Sequence, residues 1–191
     1  MRRIKVLICT LAVFFSASLF AEDFDWSKCW CNYGAGIEKG DFLLSIDAGL
    51  PWDYVDSFNS GGWAIPYVLA DFEVACVVGQ LPFTFGGYAG FGYGKKYYRN
   101  RYDREIYLTH SYFTAGASAN YHMRMPPKEL DLYAGLKSGM IVDFSDRYKS
   151  GHNLSLDFGY TMGASWYFTE NFGLNVELGY PLNRAGVVFK F

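Results

Sequence analysis

The residue types that most often carry out catalysis are sparse in this chain of 191 residues. Its three histidines are His110, His122 and His152. Neighbouring residues of a strand point to opposite faces, so His110 and Ser111 are not placed to act together as a base and a nucleophile. No spacing of histidines and cysteines matches a zinc site. We therefore expect no catalytic site, no metal and no cofactor.

Cysteines are the next candidates for chemistry. Cys29 and Cys31 form a C-x-C pair, and Cys76 lies at a position predicted to face outward from a strand. A C-x-C pair without further cysteine or histidine nearby is a weak signal for metal or redox chemistry. Two thiols without a catalytic role are the simpler interpretation, and a disulfide that involves one of them is the alternative.

Charged residues form a larger group, because they recur on one side of segments in which apolar and polar residues alternate. We refer to them as the lumen charge network, because we predict below that these segments form a barrel with this side inward. They comprise six acids and three bases: Asp47, Asp71, Glu73, Asp131, Asp157, Glu177, Lys137, Arg184 and Lys190. Buried charges need partners, which tyrosines, hydroxyls, shared protons or water would supply. A polar core that fixes strand register is the simpler interpretation, and a narrow ion path is the alternative.

A third group lies between Gly94 and Glu105, a segment that we predict to be a loop. Its five basic residues are interleaved with aromatic ones: Lys95, Lys96, Arg99, Arg101 and Arg104. Such a pattern is found in nucleic-acid binders, but the net charge of −2 does not favour that class. On a cell surface the expected partner is an acidic glycan, a host protein or anionic lipid. A solvated loop without a ligand is the simpler interpretation.

The elements that must position these residues are strands. Apolar and polar residues alternate from Leu154 to Phe168, from Phe172 to Tyr180 and from Arg184 to Phe191. A period of two indicates strands, and short turns between them indicate an antiparallel, up-and-down sheet. Five earlier segments have the same pattern: 41–50, 67–78, 83–93, 106–121 and 130–142. We expect all six prolines to lie in loops or at strand ends: Pro51, Pro66, Pro82, Pro126, Pro127 and Pro181.

Several features favour a membrane barrel over a soluble one. The strands reach the ~9–11 residues that cross a bilayer at a tilt, whereas globular strands average ~5–6. Aromatic residues make up 20% of the chain, and the mean hydropathy is zero. We therefore predict that Phe158, Val176 and Phe189 face lipid, while Asp157 and Glu177 face the interior. A soluble lipocalin-like barrel is the structural alternative.

The closing strand strengthens this prediction. Val187, Phe189 and Phe191 alternate up to a terminal phenylalanine, and in this the chain resembles the small outer-membrane barrels of diderm bacteria, in the OmpX/OmpW-like size class. The resemblance implies an eight-stranded transmembrane barrel in the cell outer membrane. It also implies recognition of these three residues by the barrel-assembly machinery, contact with outer-membrane lipid and a monomeric state.

The start of the chain matches a secretory leader. Met1–Lys5 is basic, Val6–Phe15 is apolar but too short to span a bilayer as a helix, and small residues follow up to Ala21. We predict three parts: a cleaved signal peptide over 1–21, a periplasmic N-terminal lead-in over 22–40 and the barrel over 41–191.

Function is then expected at the outer end, because an eight-stranded bore is just wide enough for its own side chains. Adhesion, ligand binding or membrane scaffolding through surface loops is the first expectation, without nucleic acid and without enzymatic activity. The alternative, implied by the OmpW type, is a narrow channel or a lateral conduit for small apolar molecules. Its entry would be framed by aromatic residues of the outer loops: Trp52, Tyr54, Phe58 and Trp63.

Overall fold

The computed structural model describes residues 30–51, 63–99, 105–145, 153–180 and 182–191. These residues form eight strands, each antiparallel to its neighbours along the chain. The strands are β1 (Phe42–Pro51), β2 (Trp63–Val78), β3 (Leu81–Arg99), β4 (Glu105–Arg124), β5 (Leu130–Ser145), β6 (Asn153–Tyr167), β7 (Phe172–Tyr180) and β8 (Leu182–Lys190). No helix long and apolar enough to cross a membrane occurs among the described residues.

The sheet closes on itself because β1 pairs with β8. Leu43 lies opposite Lys190 and Asp47 lies opposite Gly186, so the first and last strands complete one ladder. Closure leaves no sheet edge with unpaired N–H and C=O groups, each of which would cost several kcal/mol in hydrocarbon. The predicted eight-stranded antiparallel barrel is confirmed.

The two faces of this sheet have opposite polarity. Phe158 on β6 is 73% exposed and Val176 on β7 is 51% exposed, whereas Glu177, the next residue of β7, is 3% exposed. Phe189 also lies on the outward side of β8, where it packs beside Phe172. The barrel is therefore apolar outside and polar inside, as the alternation predicts.

One proline departs from the prediction. Pro66 lies within β2 and not in a loop or at a strand end, because β2 begins three residues earlier, at Trp63. The register between β2 and β3 shifts between Ile65 and Val68, at the position of this proline. A proline cannot donate to the ladder, and a local irregularity of the pairing removes the need for that bond.

The predicted loop between β3 and β4 is also shorter than expected. β3 continues to Arg99 and β4 begins at Glu105, and these two residues lie opposite each other. Lys95 likewise pairs with Thr109. The aromatic residues of this segment favour strand over loop, which explains why the ladder continues.

The lead-in is described from Trp30 onward. It lies in turns against the end of the barrel at which β1 begins and β8 ends, which we call the inner end. Ile37 is buried and packs with Leu43 and Ala75, and Gly40 donates its N–H to the carbonyl of Ala75 at 2.8 Å. The predicted signal peptide lies outside the described residues, as does Cys29.

Candidate functional site

The centre of the lumen is organised by Arg184 of β8, which is buried. Its guanidinium forms ion pairs with three carboxylates on three other strands: Asp47 on β1 at 3.3 Å, Asp71 on β2 and Glu177 on β7. The planar guanidinium has five N–H donors and suits several carboxylates at once. One side chain thus connects four of the eight strands through the interior.

Lys137 approaches the same carboxylates from β5. Its Nζ lies 2.9 Å from Oε1 of Glu177 and 3.4 Å from Oδ2 of Asp71. The ammonium also lies 5.6 Å from the ring centroid of Tyr88, within the range of a cation–π contact. Lys137 and Arg184 therefore share Glu177 and Asp71, and these four charges form one cluster in the lumen.

A second chain of polar contacts lies nearer the inner end. Nδ1 of His122 is 2.8 Å from Oδ2 of Asp131, and Nε2 of His122 is 2.9 Å from Oγ1 of Thr84. Thr84 donates its hydroxyl to Glu73, which also accepts a bond of 2.6 Å from Nδ2 of Asn120. All five side chains are buried, and these bonds leave only Oδ1 of Asn120 and Oδ1 of Asp131 without a partner among the described residues.

This chain has the acid–imidazole–hydroxyl order of a hydrolase triad, but its setting differs. Thr84 has no exposed surface, and its hydroxyl already donates to Glu73. A catalytic nucleophile must be free to attack a substrate. The arrangement therefore differs from a triad whose hydroxyl is open to a substrate.

A glycine makes room for the large side chains of the lumen. A Cβ at Gly163 would collide with the ring of Tyr133 on the neighbouring strand. With that space open, Tyr133 donates its hydroxyl to Oδ1 of Asn175 at 2.8 Å. The same hydroxyl oxygen lies 3.2 Å from Oε2 of Glu177. The glycine on the polar face thus lets an aromatic ring lie across the bore.

A cavity of about 30 Å³ lies between the two groups of contacts. Four of the residues that line it each have a buried polar atom without a hydrogen-bond partner among the described residues: Oδ1 of Asp71, Oδ1 of Asp131, the hydroxyl of Tyr167 and Nε of Arg184. A cavity needs ~10–15 Å³ to hold a water, which wants two to four polar partners. The space suits one or two bridging waters and is too small for a solute.

Two members of the lumen charge network lie apart from these contacts. Asp157 is half-buried on β6, opposite Gly139, and has no ion pair in the described part of the chain. Lys190 lies at the inner end, where its Nζ donates to the carbonyls of Ala35 at 3.1 Å and Gly36 at 2.8 Å. The other seven members are buried in the lumen. The predicted strand over 106–121 ends one residue before His122 and so missed it, although His122 continues the period of two from Ser118 and Asn120.

The remaining candidates are scattered. Lys95, Lys96 and Arg99 lie on β3, while Arg101 and Arg104 lie outside the described residues. Val187 and Phe189 are half-buried on the outward side of β8, and Phe191, which is exposed, exchanges backbone hydrogen bonds with Phe42.

The cysteines and outer-loop aromatics add little to the site. Cys31 is exposed, Cys76 is half-buried, and both are free thiols. Of the four aromatic residues proposed to frame a lateral entry, Trp63 lies on β2 and the other three lie outside the described residues.

These features together define a class of protein. An antiparallel sheet of eight strands that is closed, apolar outside and polar inside is a membrane-spanning barrel of the outer-membrane type. Its location is the cell outer membrane.

Comparison with known proteins gives likenesses of fold. The chain is similar to the N-terminal barrel domain of OprF from Pseudomonas aeruginosa (15% identity, 80% of this chain and 98% of that chain, TM-score 0.46). It is also similar to Neisserial surface protein A (17% identity, 79% and 95%, TM-score 0.44). A third similar structure is Ail, the attachment invasion locus protein of Yersinia pestis, in complex with the heparin analogue sucrose octasulfate (12% identity, 81% and 100%, TM-score 0.42). No family model and no curated protein sequence matches.

Proposed function

We propose that this protein passes no solute through its lumen and acts at its outer end, by binding an acidic partner. The observation that carries the proposal is the filled bore, in which Arg184 and Lys137 pair with carboxylates from three other strands. Since the interior is occupied by interlocked side chains, the surfaces left for function are the two ends. The outer end carries the basic hairpin, defined as residues 94–105 at the junction of β3 and β4.

The backbone of the basic hairpin supports a binding role. Among the described residues, the pairing of β2 with β3 ends at Lys95, and that of β4 with β5 begins at His110. The pairs between them, up to Arg99 and Glu105, join only β3 and β4. A paired backbone loses less conformational freedom on binding than a free loop does, which favours affinity. Several cations on one ribbon suit sulfated or carboxylated glycans, acidic host proteins or anionic lipid.

The binding role can be tested by replacing the five basic residues of the hairpin with serine. We expect the parent barrel in lipid nanodiscs to bind immobilised heparin and to release it at high salt, because exposed charge pairs are screened. The five-serine variant should not bind. The matched control is Lys39→Ser together with Arg124→Ser and Lys128→Ser, which removes exposed cations at the inner end only. Equal binding by the parent and the five-serine variant would refute the hairpin as the site.

The closed lumen has its own test. In planar lipid bilayers we expect no steady conductance from the parent protein, because the ion pairs of Arg184 and Lys137 with carboxylates of three other strands lie across the bore. A stable, pore-sized conductance would overturn this part of the proposal and favour the narrow-channel alternative.

We also propose that the role is not enzymatic. The support is that the acid–imidazole–hydroxyl chain of Asp131, His122 and Thr84 is buried and its hydroxyl is already bonded. If the hairpin binds no acidic partner and the barrel does not conduct, scaffolding of the outer membrane is the next function to test.

A further inference from the structure

A recess of about 850 Å³ opens at the inner end of the barrel, and the function proposed above makes no use of it. Three segments form its walls: the lead-in, the turn between β4 and β5, and the turn between β6 and β7. Sites for small ligands commonly enclose about 300–1,000 Å³. The recess is therefore of the right size for a ligand larger than a single amino acid.

The seven charged residues around this recess are of both signs, and five of them have side chains without a partner among the described residues. The side chains of Arg124, Lys128, Glu129 and Glu170 line it and are exposed, and none has an ion pair or side-chain hydrogen bond within the described residues. This contrasts with the lumen, where most charges are paired. Glu38 of the lead-in also lines the recess, and its exposed carboxylate has no partner among the described residues, so two free cations and three free carboxylates surround one open space.

The floor of the recess supplies a buried polar group. Tyr167 is 3% exposed, and its hydroxyl has no hydrogen-bond partner in the described chain. The residue lines both the recess and the small lumen cavity, and its ring lies 5.6 Å from Nζ of Lys190. A buried hydroxyl without a partner is rare in native structures, and a water of the small lumen cavity can satisfy this one, so Tyr167 closes the floor of the recess.

The lead-in wall is held in an uncommon conformation. Ala35 has a φ of +50° and Gly36 a φ of +64°, and both carbonyls accept hydrogen bonds from Lys190. A residue other than glycine in the left-handed region is strained, and such residues cluster at ligand sites. The strained bend shapes this side of the recess.

We propose that the recess binds a short peptide with a free carboxylate and a free amine. A purely anionic ligand would be repelled by Glu129 and Glu170, and a purely cationic one by Arg124 and Lys128. An apolar ligand would desolvate these charges without compensation. A zwitterionic peptide satisfies both signs. Peptides of this chemistry occur in bacterial cell walls, on the side of the outer membrane that we expect this end to face.

The test is a calorimetric titration of the full-length barrel in nanodiscs with the tripeptide alanine–glutamate–lysine. Saturable binding is expected for the free peptide, with affinity weaker by about tenfold or more when its ends are acetylated and amidated. Arg124→Ser combined with Lys128→Ser should weaken binding by about tenfold or more.

The control is Lys39→Ser, which removes an exposed cation of the lead-in that does not line the recess. It should bind the peptide as the parent does, and all variants should keep the heat-modifiable gel migration of a folded barrel. Three results would each overturn the proposal: no saturable binding by the parent, equal affinity for the blocked peptide, or an equal loss in Lys39→Ser. Because the basic hairpin lies at the other end, its serine variant tests the outer function separately.

Discussion

The two faces of β7 show how one strand meets two different surroundings. Leu174 and Val176 point outward and are exposed, whereas Asn175 and Glu177, their direct neighbours, are buried. Glu177 bonds to a lysine and an arginine from other strands, while the outward residues lie on the lipid side. In a soluble barrel these environments would be exchanged.

The difference between the outward and inward faces indicates which side chains determine the structure. Lipid tails are as apolar as leucine, so the outward side chains gain little by packing against one another and can be exchanged for other apolar residues. The inward side chains must match in charge, size and hydrogen bonding, because an unpaired buried charge is costly. Substitutions on the two faces should therefore have effects of different size and different cause.

The sharpest test of this comparison is Arg184→Met in the lumen. It leaves Asp47, Asp71 and Glu177 without the cation that joins them. We expect a loss of about 3–5 kcal/mol in the free energy of unfolding, measured by urea titration in micelles. Arg184→Lys keeps the charge but loses the forked geometry, and its loss should be smaller. A loss below about 1 kcal/mol for Arg184→Met would mean that the interior network contributes little.

The second test places a charge on the lipid face. Leu136 on β5 is 69% exposed and lies midway along the strand. We expect Leu136→Arg to lower the free energy of unfolding in bilayers by about 2–4 kcal/mol, because the cation must enter hydrocarbon. Leu136→Ala is the control for loss of the side chain alone. If the arginine variant is as stable as the alanine variant in bilayers, this face does not contact lipid.

The smallest effect on stability is expected at the inner end of the barrel, where Tyr33 of the lead-in packs against the strands. The hydroxyl of Tyr33 lies 2.6 Å from the carbonyl oxygens of both Cys76 and Phe83, and burial raises its pKa from 10.0 to about 12. Since the folded-state pKa is the higher one, its contribution to stability is complete below pH 10 and is lost as pH rises toward 12. We expect proteolysis of the lead-in to increase over this range.

The controls for this test are two tyrosine variants. Tyr33→Phe should abolish the pH-dependent step in proteolysis, whereas Tyr160→Phe, on the lipid face, should keep it. If the pH-dependent step in proteolysis persists in Tyr33→Phe, that step arises from the titration of another group.

The fold follows from the sequence because the period of two reports which side of a strand is apolar. That rule places Phe158, Val176 and Glu177 as the structure does. The same rule predicts the residues at which strands begin and end less accurately. Near the outer end, Pro66 suggests a loop where a strand continues, because a shift in register removes the bond that proline cannot make.

The contacts of the lumen could not be predicted in the same way. Arg184 and Asp71 are 113 residues apart, and their meeting depends on the register of every ladder between them. A shift of one residue would turn each side chain to the other face. His122 was missed for a local reason, since the prolines at 126 and 127 suggested a turn that in fact begins after Arg124.

The pairing of β1 with β8 has a consequence for biogenesis. Until β8 is in place, strands β7 and β1 each have an unpaired edge. The first seven strands therefore do not form a smaller closed barrel. A product shortened by loss of Leu182–Phe191 should be removed by proteases instead of accumulating in the membrane, even though seven of its eight strands are intact.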